Sequence, residues 1–404
     1  MKDYILYWVD MVRYALVGSR TYYLWIGTLL FVILVGMGAW GIQLRDGFIV
    51  TNLSDEVSWG AYIANFTFLV GVAAAAVLLV VPAYLFHRDD IKQVVLIGEL
   101  LAVAAIVMCL AFVTVDLGHP ERALHLVPGI GRLNFPSSIL AWDVIVLNVY
   151  LLLNLHLPGY LLYKHYKGEI PVKALYLPLV FLSMGWAVSI HTVTAFLYSG
   201  LGGRPLWNTA ILAPRFLVSA FAAGPAILLI VFQVIKWRKT MEIQDSVFDL
   251  LRKIVSFMLP LNYFLLGCEL FTEFYTDSAH VISAEYLYFG ISGHGKLVPY
   301  IWSGLVMGIG ATVVYLVPAL YQNTKLLITA SVAAVIGIWI EKGMGLIIPG
   351  FLPTPSGDLV EYEPSLIEFF VSLGIWALGI FVFTVLARVA IAIQEGNLRA
   401  RKAA

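Results

Sequence analysis

Protonatable side chains interrupt the most apolar stretches of this sequence. An ionisable group is costly in hydrocarbon, so each one is a functional candidate. They are Glu99, Asp143, His156, His191, Glu269, Glu273 and Glu341, with Asp116 at the end of one stretch.

Three of these groups are expected at one depth. At a rise of about 1.5 Å per helical residue, Asp143, His191 and Glu269 lie roughly 7 to 11 Å beneath the same boundary of the apolar layer, each on a different helix. Glu99 and His156 belong to the opposite half. Carboxylates and imidazoles can take up and pass on protons where burial and neighbouring groups tune their affinity. The spacing therefore predicts a proton-handling site in a low-dielectric environment.

A structural role is the alternative for each residue. Buried carboxylates commonly pair with Arg or Lys, or cap a neighbouring helix. For Asp116, the partner would be Arg122, or the turn before Pro120. Both interpretations are open at this point.

The composition predicts where these residues lie. Of 404 residues, 61% are hydrophobic and 12% charged, with a mean hydropathy of +0.88, whereas a soluble domain has about 25% charged residues. The net charge of zero gives no electrostatic footprint for nucleic acid. Cys109 and Cys268 stand alone in apolar segments, so we expect neither a disulfide nor a metal site.

Ten apolar segments are long enough to cross a bilayer. We therefore expect an all-α integral membrane protein. The segments are 21–44, 59–86, 94–117, 138–163, 173–198, 215–237, 250–275, 297–321, 325–342 and 365–391. Residues 1–20 differ, because apolar and aromatic residues recur there at helical spacing among Asp10, Arg13 and Arg20. That pattern predicts an amphipathic helix in the membrane interface.

The orientation follows from the basic residues. Eighteen of the 25 Lys and Arg residues lie in the termini and alternate loops, and seven lie on the other side. The positive-inside rule then predicts a multi-pass protein of the cell (cytoplasmic) membrane with both termini in the cytoplasm. The long connections, including the one after Asp116, are expected on the outer face.

A short internal repeat suggests two related halves. Phe68-Leu69-Val70 and an alanine-rich stretch recur as Phe216-Leu217-Val218 at an offset of 148, and Trp142 opens the fourth span as Trp302 opens the eighth. We predict four-helix bundles at 59–198 (helices 2–5) and 215–342 (helices 6–9). Flanking helices 1 and 10 are expected at 21–44 and 365–404, the latter with the tail. Asp143 corresponds to Ser303, so chemistry that needs this carboxylate belongs to the first bundle.

Haem is not expected in this chain. Only His156 and His191 lie well inside predicted helices, and they lie at opposite depths, which does not suit a bis-histidine haem. A redox substrate would therefore be lipid-soluble, and the electron acceptor would belong to another subunit.

A set of motifs runs along nearly the whole chain. It comprises Trp59-Gly60, DLGHPER (116–122), NFPS (134–137), Trp142-Asp143, SIHT (189–192), RPLWNTAILAPRFLVSA (204–220), NYFLLGCELFTEFY (262–275), WIEKG (339–343) and YEPSLIE (362–368). In order and spacing these motifs resemble the NrfD/PsrC superfamily, the membrane subunits of polysulfide reductase and related enzymes. Within its ten-helix branch, the chain is most similar to the DsrP-type subunits of sulfur-metabolising prokaryotes.

The resemblance implies a quinone-interacting subunit without a haem or iron–sulfur cluster of its own. Such subunits bind menaquinone or another quinone near the outer face, beside an extracytoplasmic ferredoxin-like iron–sulfur subunit. The DsrP-type complex also implies a multihaem c-type cytochrome and a b-type cytochrome/iron–sulfur module as partners.

Carried onto this sequence, the resemblance implies several site residues. The quinol-oxidising set is Asp116, His119, Asp143, His191 and Glu269. Quinone contacts are expected from Tyr62, Asn65 and Trp142 together with Asp143 and His191, although packing is an open alternative for Tyr62 and Asn65. A proton route would use Glu99 and His156, and partner docking would use Arg122 and Arg204. The family pattern often has Arg at the position of His119, which argues against a required fixed charge there.

Two other functions stay open. Intramembrane carboxylates and a repeat also occur in secondary transporters and ion channels, for which substrate uptake by this chain alone would be diagnostic. A purely structural anchor would tolerate neutral replacement of every intramembrane charge.

Overall fold

A computed structural model describes residues 2–127, 129–276 and 281–400. Within these ranges the helices carry the regular structure, and an isolated β bridge joins Ile291 and His294. The predicted all-α fold is confirmed.

The helices follow one another in this order: α1 Lys2–Leu16, α2 Arg20–Asp46, α3 Ala61–Ala74, α4 Val77–Val80, α5 Asp89–Asp116, α6 Ile139–Lys167, α7 Lys173–Ser199, α8 Leu212–Arg238, α9 Asp245–Thr276, α10 Val281–Tyr288, α11 Val298–Leu316, α12 Pro318–Tyr321, α13 Thr324–Lys342, α14 Met344–Ile347 and α15 Leu366–Gln394. A π-helical turn, Val81–Leu85, continues α4, and 3-10 turns cover Phe48–Val50, Pro120–Leu126 and Pro349–Phe351.

Ten of these helical units in the described part of the chain are long and apolar enough to cross a membrane. The second joins α3, α4 and the π-helical turn, and the ninth runs from α13 to Phe351. All ten coincide with the predicted spans to within about five residues at each end, except that the ninth continues past the predicted end at 342 to Phe351. The chain is an integral membrane protein.

The spans contact one another in two rings. Helices α3, α5, α6 and α7 pack in a closed ring, and α8, α9, α11 and α13 pack in another. We refer to these as the first and second bundles. Helices α2 and α15 pair with each other, and α15 also contacts α3, α5 and α6. The two flanking helices thus lie against the first bundle.

The bundles meet where α3 crosses α8. A Cβ added at Gly224 would overlap the Cβ of Ala75, so glycine is needed for the close approach of the two helices. At the offset of 148 found in the sequence, Gly224 is the counterpart of Ala76, next to the contact. Contact between counterpart segments is the geometry expected of two halves related by a pseudo-two-fold axis. This supports the duplication, which stays a prediction.

The two repeat-related tryptophans have the same local role. Trp142, near the start of α6, donates to the carbonyl of Pro136 (2.8 Å), and Trp302, near the start of α11, donates to the carbonyl of Tyr288 (2.9 Å). Each indole fastens the preceding connection to its helix. The counterpart of Asp143, Ser303, is exposed, and its hydroxyl donates to the carbonyl of Tyr300.

The long connections gather at one end of the molecule, here called the loop-rich face. The side-chain amide of Asn52 donates to the carbonyl of Glu363 (2.8 Å), and the indole of Trp207 donates to that of Leu346 (2.8 Å). Helix α1 lies at the opposite end, where the hydroxyl of Tyr166 donates to Asp10 (2.7 Å). Both described chain ends lie on this second face.

Two of the seven basic residues that the sequence assigns to outer loops are largely buried. Arg215 lies in the first turn of α8 with its side chain 11% exposed, and Lys342, the last residue of α13, is 6% exposed. Each lies just inside a helix end rather than in a loop. Their removal leaves five basic residues against eighteen and strengthens the charge asymmetry.

Candidate functional site

Asp143 and His191 are buried on neighbouring helices of the first bundle. Asp143 is the fifth residue of α6 and is 5% exposed. Its Oδ1 accepts a 2.7 Å hydrogen bond from the hydroxyl of Thr194 on α7. His191 precedes Thr194 by three residues, so both side chains lie on one face of α7. We call Asp143, Thr194 and His191 the inner site.

The imidazole of His191 has one nitrogen free. Its Nδ1 lies 3.4 Å from the carbonyl oxygen of Ala187, and its Nε2 has no partner among the described residues. A carbonyl can only accept, so this contact assigns a proton to Nδ1 of the neutral ring and leaves Nε2 as an acceptor. The fully buried ring can therefore take a proton from a bound hydroxyl.

Asp116 ends α5 and points into the protein. Its Oδ1 is buried and unpartnered among the described residues, whereas Arg122 is exposed. The ion pair between them, one of the alternatives from sequence, does not form. Next to Asp116, the hydroxyl of Tyr62 donates to Gln43 (2.7 Å), and Gln43 donates to the carbonyl of Val115 (2.7 Å).

Tyr198 connects Asp116 to the inner site. Its ring is fully buried, and its hydroxyl lies 2.5 Å from that of Thr67 on α3. The hydroxyl is also close enough to Asp143 and Asp116 to interact electrostatically with both. The structure thus places Tyr198 between Asp143 and Asp116, in the half of the first bundle that adjoins the loop-rich face.

An aromatic cluster separates this region from a groove on the loop-rich face. Trp207 contacts Tyr198, Trp59 and Phe351 with ring centroids 5.1–5.8 Å apart. Trp59, Trp207 and Phe351 also line the groove, as does Arg204. The guanidinium of Arg204 donates to the carbonyl of Phe351 (2.8 Å) and lies over its ring. Arg204 therefore holds the groove wall as well as contributing charge.

A separate hydrogen-bond node fixes the start of α15 beside the first bundle. Buried Glu368 accepts from the hydroxyl of Tyr362, and it also accepts from the backbone amides of Asn52 and Ser365, with 2.9 Å for each amide bond. Burial, reinforced by the charge of Glu368, raises the pKa of the Tyr362 phenol. The phenol therefore stays protonated and can donate to Glu368 while it accepts from the amide of Ala61 (2.9 Å). This node is structural.

Asn65 has a structural environment as well. Its Oδ1 accepts from the indoles of Trp339 (3.0 Å) and Trp376 (2.9 Å), and its amide donates to the carbonyl of Ala61 (2.8 Å). The side chain joins α3, α13 and α15, and its acceptor is already used twice. These contacts favour the packing interpretation over a quinone contact.

Glu269 lies in the second bundle, apart from the inner site. It pairs with Arg215, whose second nitrogen binds Glu341 at 2.6 Å. The expectation from depth alone placed Glu269 with Asp143 and His191. Depth does not report which bundle a helix belongs to, and the helix contacts separate them.

The other predicted site residues are scattered. His119 is exposed and lies 2.8 Å from Glu121, and Trp142 is 39% exposed and packs on Phe135.

Glu99 is buried with an Oε2 that has no partner among the described residues, but His156 lies on the exposed surface of α6. The structure does not bring Glu99 and His156 together as a route.

Sequence reasoning missed several residues of these environments. They are Gln43, Thr67, Thr194, Tyr198 and Lys342. A helical-face search around His191 would have found Thr194 at i+3 and Tyr198 at i+7. Nothing local marks Gln43 or Thr67, whose roles depend on which helices are neighbours. No group of three or more His, Cys, Asp or Glu residues in the described ranges is arranged to hold a metal ion.

Comparisons with known proteins match this architecture. The family described as "Polysulphide reductase, NrfD" matches residues 49–353. The chain is 24% identical to a putative dimethyl sulfoxide reductase membrane subunit of Halobacterium salinarum, over 89% of this chain and 88% of that protein. It is 24% identical to a selenate reductase subunit of Mesobacillus selenatarsenatis, over 90% and 92%. It is 23% identical to the Hdr-like menaquinol oxidoreductase integral membrane subunit of Archaeoglobus fulgidus, over 83% and 85%.

Proposed function

We propose, from the premise that the chain belongs to the NrfD polysulphide reductase family, that it exchanges electrons between the membrane quinone pool and an iron–sulfur subunit. Its relatives are named as subunits of reductases and of a menaquinol oxidoreductase, so partner subunits are implied. Menaquinone is the quinone that we propose, because one relative is named for menaquinol. The DsrP-like motifs favour a sulfur-metabolism complex with a multihaem c-type cytochrome and a b-type cytochrome/iron–sulfur module.

The observation that carries this proposal is the inner site. A quinol presents two hydroxyl groups and, on oxidation, gives up two electrons and two protons. It therefore needs hydrogen-bond acceptors that can also take protons. His191 offers a buried, unpartnered Nε2 and Asp143 a buried carboxylate, and Asp116 adds an unpartnered Oδ1 nearby. This set of hydrogen-bond acceptors fits the two hydroxyl groups of a quinol headgroup.

The surrounding residues hold and shield these acceptors. Thr194 fixes the carboxylate of Asp143, and the carbonyl of Ala187 selects the imidazole tautomer. Tyr198 and the aromatic cluster above it separate the site from the groove and exclude water. Buried acceptors in a dry environment interact strongly with developing charge.

The loop-rich face is the proposed docking side for the iron–sulfur subunit. The inner site lies in the adjoining half of the first bundle, which shortens the distance that electrons must cross. The asymmetry of basic residues supports an extracytoplasmic location for this face and cytoplasmic termini. Arg122 is exposed there without an ion pair to another described residue.

Binding of a quinone analogue tests the proposal. The purified complex is titrated with 2-heptyl-4-hydroxyquinoline N-oxide, and quenching of the analogue's fluorescence is measured. We expect saturable binding to the wild type, weakened on the order of tenfold or more in Asp143→Asn and His191→Ala, because each substitution removes a buried polar contact. Thr192→Val, on the exposed face of α7, is the matched control. Equal binding by all four proteins would overturn the proposal.

A further inference from the structure

The second bundle contains a buried ionic cluster that the proposed quinol site does not use. Arg215 on α8 pairs with Glu269 on α9 and with Glu341 on α13. The amide of Asn262, also on α9, donates to the second oxygen of Glu341 (2.9 Å). Three of the four helices of the bundle are thus joined by charged or polar side chains away from the lipid. Buried charges of this kind are costly and are kept where they have a function.

Two narrow cavities extend along this cluster. Both are lined by Arg215 and Glu341, the first also by Glu269 and the second also by Asn262. Glu269 Oε1 and Asn262 Oδ1 are buried and have no partner among the described residues. Unpaired polar atoms that face a small cavity are the environment in which buried waters bind. Such waters and carboxylates together can conduct protons.

The first cavity leads towards the loop-rich face. Glu273 lies one helical turn beyond Glu269, three residues before the end of α9, and lines this cavity. It is 5% exposed and forms no ion pair within the described residues. A buried carboxylate that is not tied to a cation is free to bind and release a proton.

The second cavity leads towards the first bundle. Lys342 lines it, and the Lys342 ammonium donates to the carbonyl of Phe216 (3.1 Å) and lies 4.1 Å from the centre of the Phe216 ring. Lys342 reaches the bundle junction, since a Cβ on Gly71 of α3 would lie 3.6 Å from its Nζ. It is also close enough to His191 to interact electrostatically. Lys342 is therefore the cation shared by the two bundles.

We propose that Lys342, Glu341, Glu269 and Glu273 form a proton-release route from the inner site to the loop-rich face. This inference rests on the proposed function. Each quinol oxidised gives two electrons to one-electron acceptors in the partner subunit and two protons to His191 and Asp143. The protons then pass through the second bundle and leave at Glu273. The net change is quinol to quinone, two reduced acceptor centres and two protons at the loop-rich face.

The alternative path is direct release from the inner site through Asp116 to the loop-rich face. That path does not require Glu273 or Lys342, so variants of these two residues distinguish the two paths. Glu273 is the best residue to change, because it forms no ion pair with another described residue. Glutamine, which would replace it, has nearly the same shape as glutamate. Glu269 and Glu341 are poorer choices, because loss of either removes one of the two carboxylates that pair with the buried Arg215, which is expected to destabilise the protein.

The test uses the whole complex in liposomes, with a short-chain menaquinol analogue as donor and ferricyanide as acceptor. A membrane-impermeant pH dye reports protons at the loop-rich face.

We expect Glu273→Gln and Lys342→Met to slow quinol oxidation on the order of tenfold or more, in keeping with loss of a proton-transfer group. We also expect a larger solvent deuterium isotope effect and unchanged binding of the quinone analogue. Glu273→Asp, which keeps the acid, should restore the rate. Glu285→Gln, on the exposed side of α10, is the matched control.

The outcomes separate this inference from the proposed function. If the wild-type complex neither binds the analogue nor oxidises the quinol, the proposed function fails. If the wild type is active and both variants match its rate and isotope effect, only the route is overturned. If Glu273→Asp is as slow as Glu273→Gln, Glu273 is a packing element and the route is likewise overturned.

Discussion

Thr194 donates a 2.7 Å hydrogen bond to Asp143, and this bond joins α7 to α6 inside the first bundle. It orients a buried carboxylate towards the face of α7 that carries His191, whose Nε2 has no partner among the described residues. We therefore assign Asp143 and His191 to one site, in which Thr194 is the positioning residue.

Replacement of Thr194 by Val should therefore impair quinol oxidation without preventing assembly. The change keeps the side-chain shape and removes one hydrogen bond, worth about 1 kcal/mol, which corresponds to a loss of roughly fivefold in turnover. Steady-state kinetics with purified complex measures the effect, and we expect it in kcat more than in KM.

Thr192 provides the control for this substitution. It is two residues away on the exposed side of α7, and its hydroxyl donates to the carbonyl of Val188. Thr192→Val should leave kcat unchanged. Equal losses in Thr192→Val and Thr194→Val would argue against a positioning role for the bond to Asp143.

Asn65 and Asn148 form a second matched pair, for stability. Both donate to the carbonyl four residues earlier, but only Asn65 accepts from two indoles, those of Trp339 and Trp376. Asn65→Ala leaves both indole N–H groups without this partner, at about 1–3 kcal/mol each. Heat inactivation of the solubilised protein should occur at clearly lower temperature for Asn65→Ala than for Asn148→Ala. The same temperature for both would show that the indole bonds contribute nothing.

His119 should be nearly dispensable. Its side chain is 63% exposed and lies 2.8 Å from Glu121, and an exposed pair of this kind contributes little to stability because solvent screens it. We expect His119→Ala to retain quinol oxidation within about twofold, a difference of less than 1 kcal/mol. A loss comparable to that of His191→Ala would return His119 to the catalytic set.

Of the two predicted docking residues, Arg122 is the better one to test. Arg204 has a structural role as well, because its guanidinium contacts Phe351. Arg122→Glu should weaken co-purification of the iron–sulfur subunit, most visibly at low salt where exposed charges are least screened. Arg238→Glu, on the opposite face, should not. Retention of the subunit by Arg122→Glu at all salt concentrations would contradict the assignment of the docking side.

The ten spans could be read from the sequence because each is a long apolar segment, and this signal needs no knowledge of neighbours. Which helices are neighbours could not. Asp143 and Glu269 have similar depths, yet α6 and α9 belong to different bundles. The burial of Lys342 could not be predicted for the same reason, since a basic residue at a helix end looks like a loop residue until packing buries it.

The inner site was predictable only in part. Asp143 and His191 stand out as intramembrane ionisable residues, whereas Thr194 and Tyr198 are ordinary residues of an apolar helix. Gln43 and Tyr62 meet Asp116 through contacts between α2, α3 and α5. Such relationships depend on side-chain packing between segments far apart in the chain, which a single sequence does not encode locally.

Quinol oxidation by the assembled complex carrying Asp143→Asn or His191→Ala tests the central claim most directly. The measurement is turnover of a menaquinol analogue with ferricyanide, normalised to the amount of co-purified iron–sulfur subunit. We predict a loss on the order of a hundredfold or more in each variant, in keeping with removal of a proton acceptor at the reacting groups, while assembly is retained. Unchanged turnover in both variants would contradict the assignment of the inner site as the place where the quinol is oxidised.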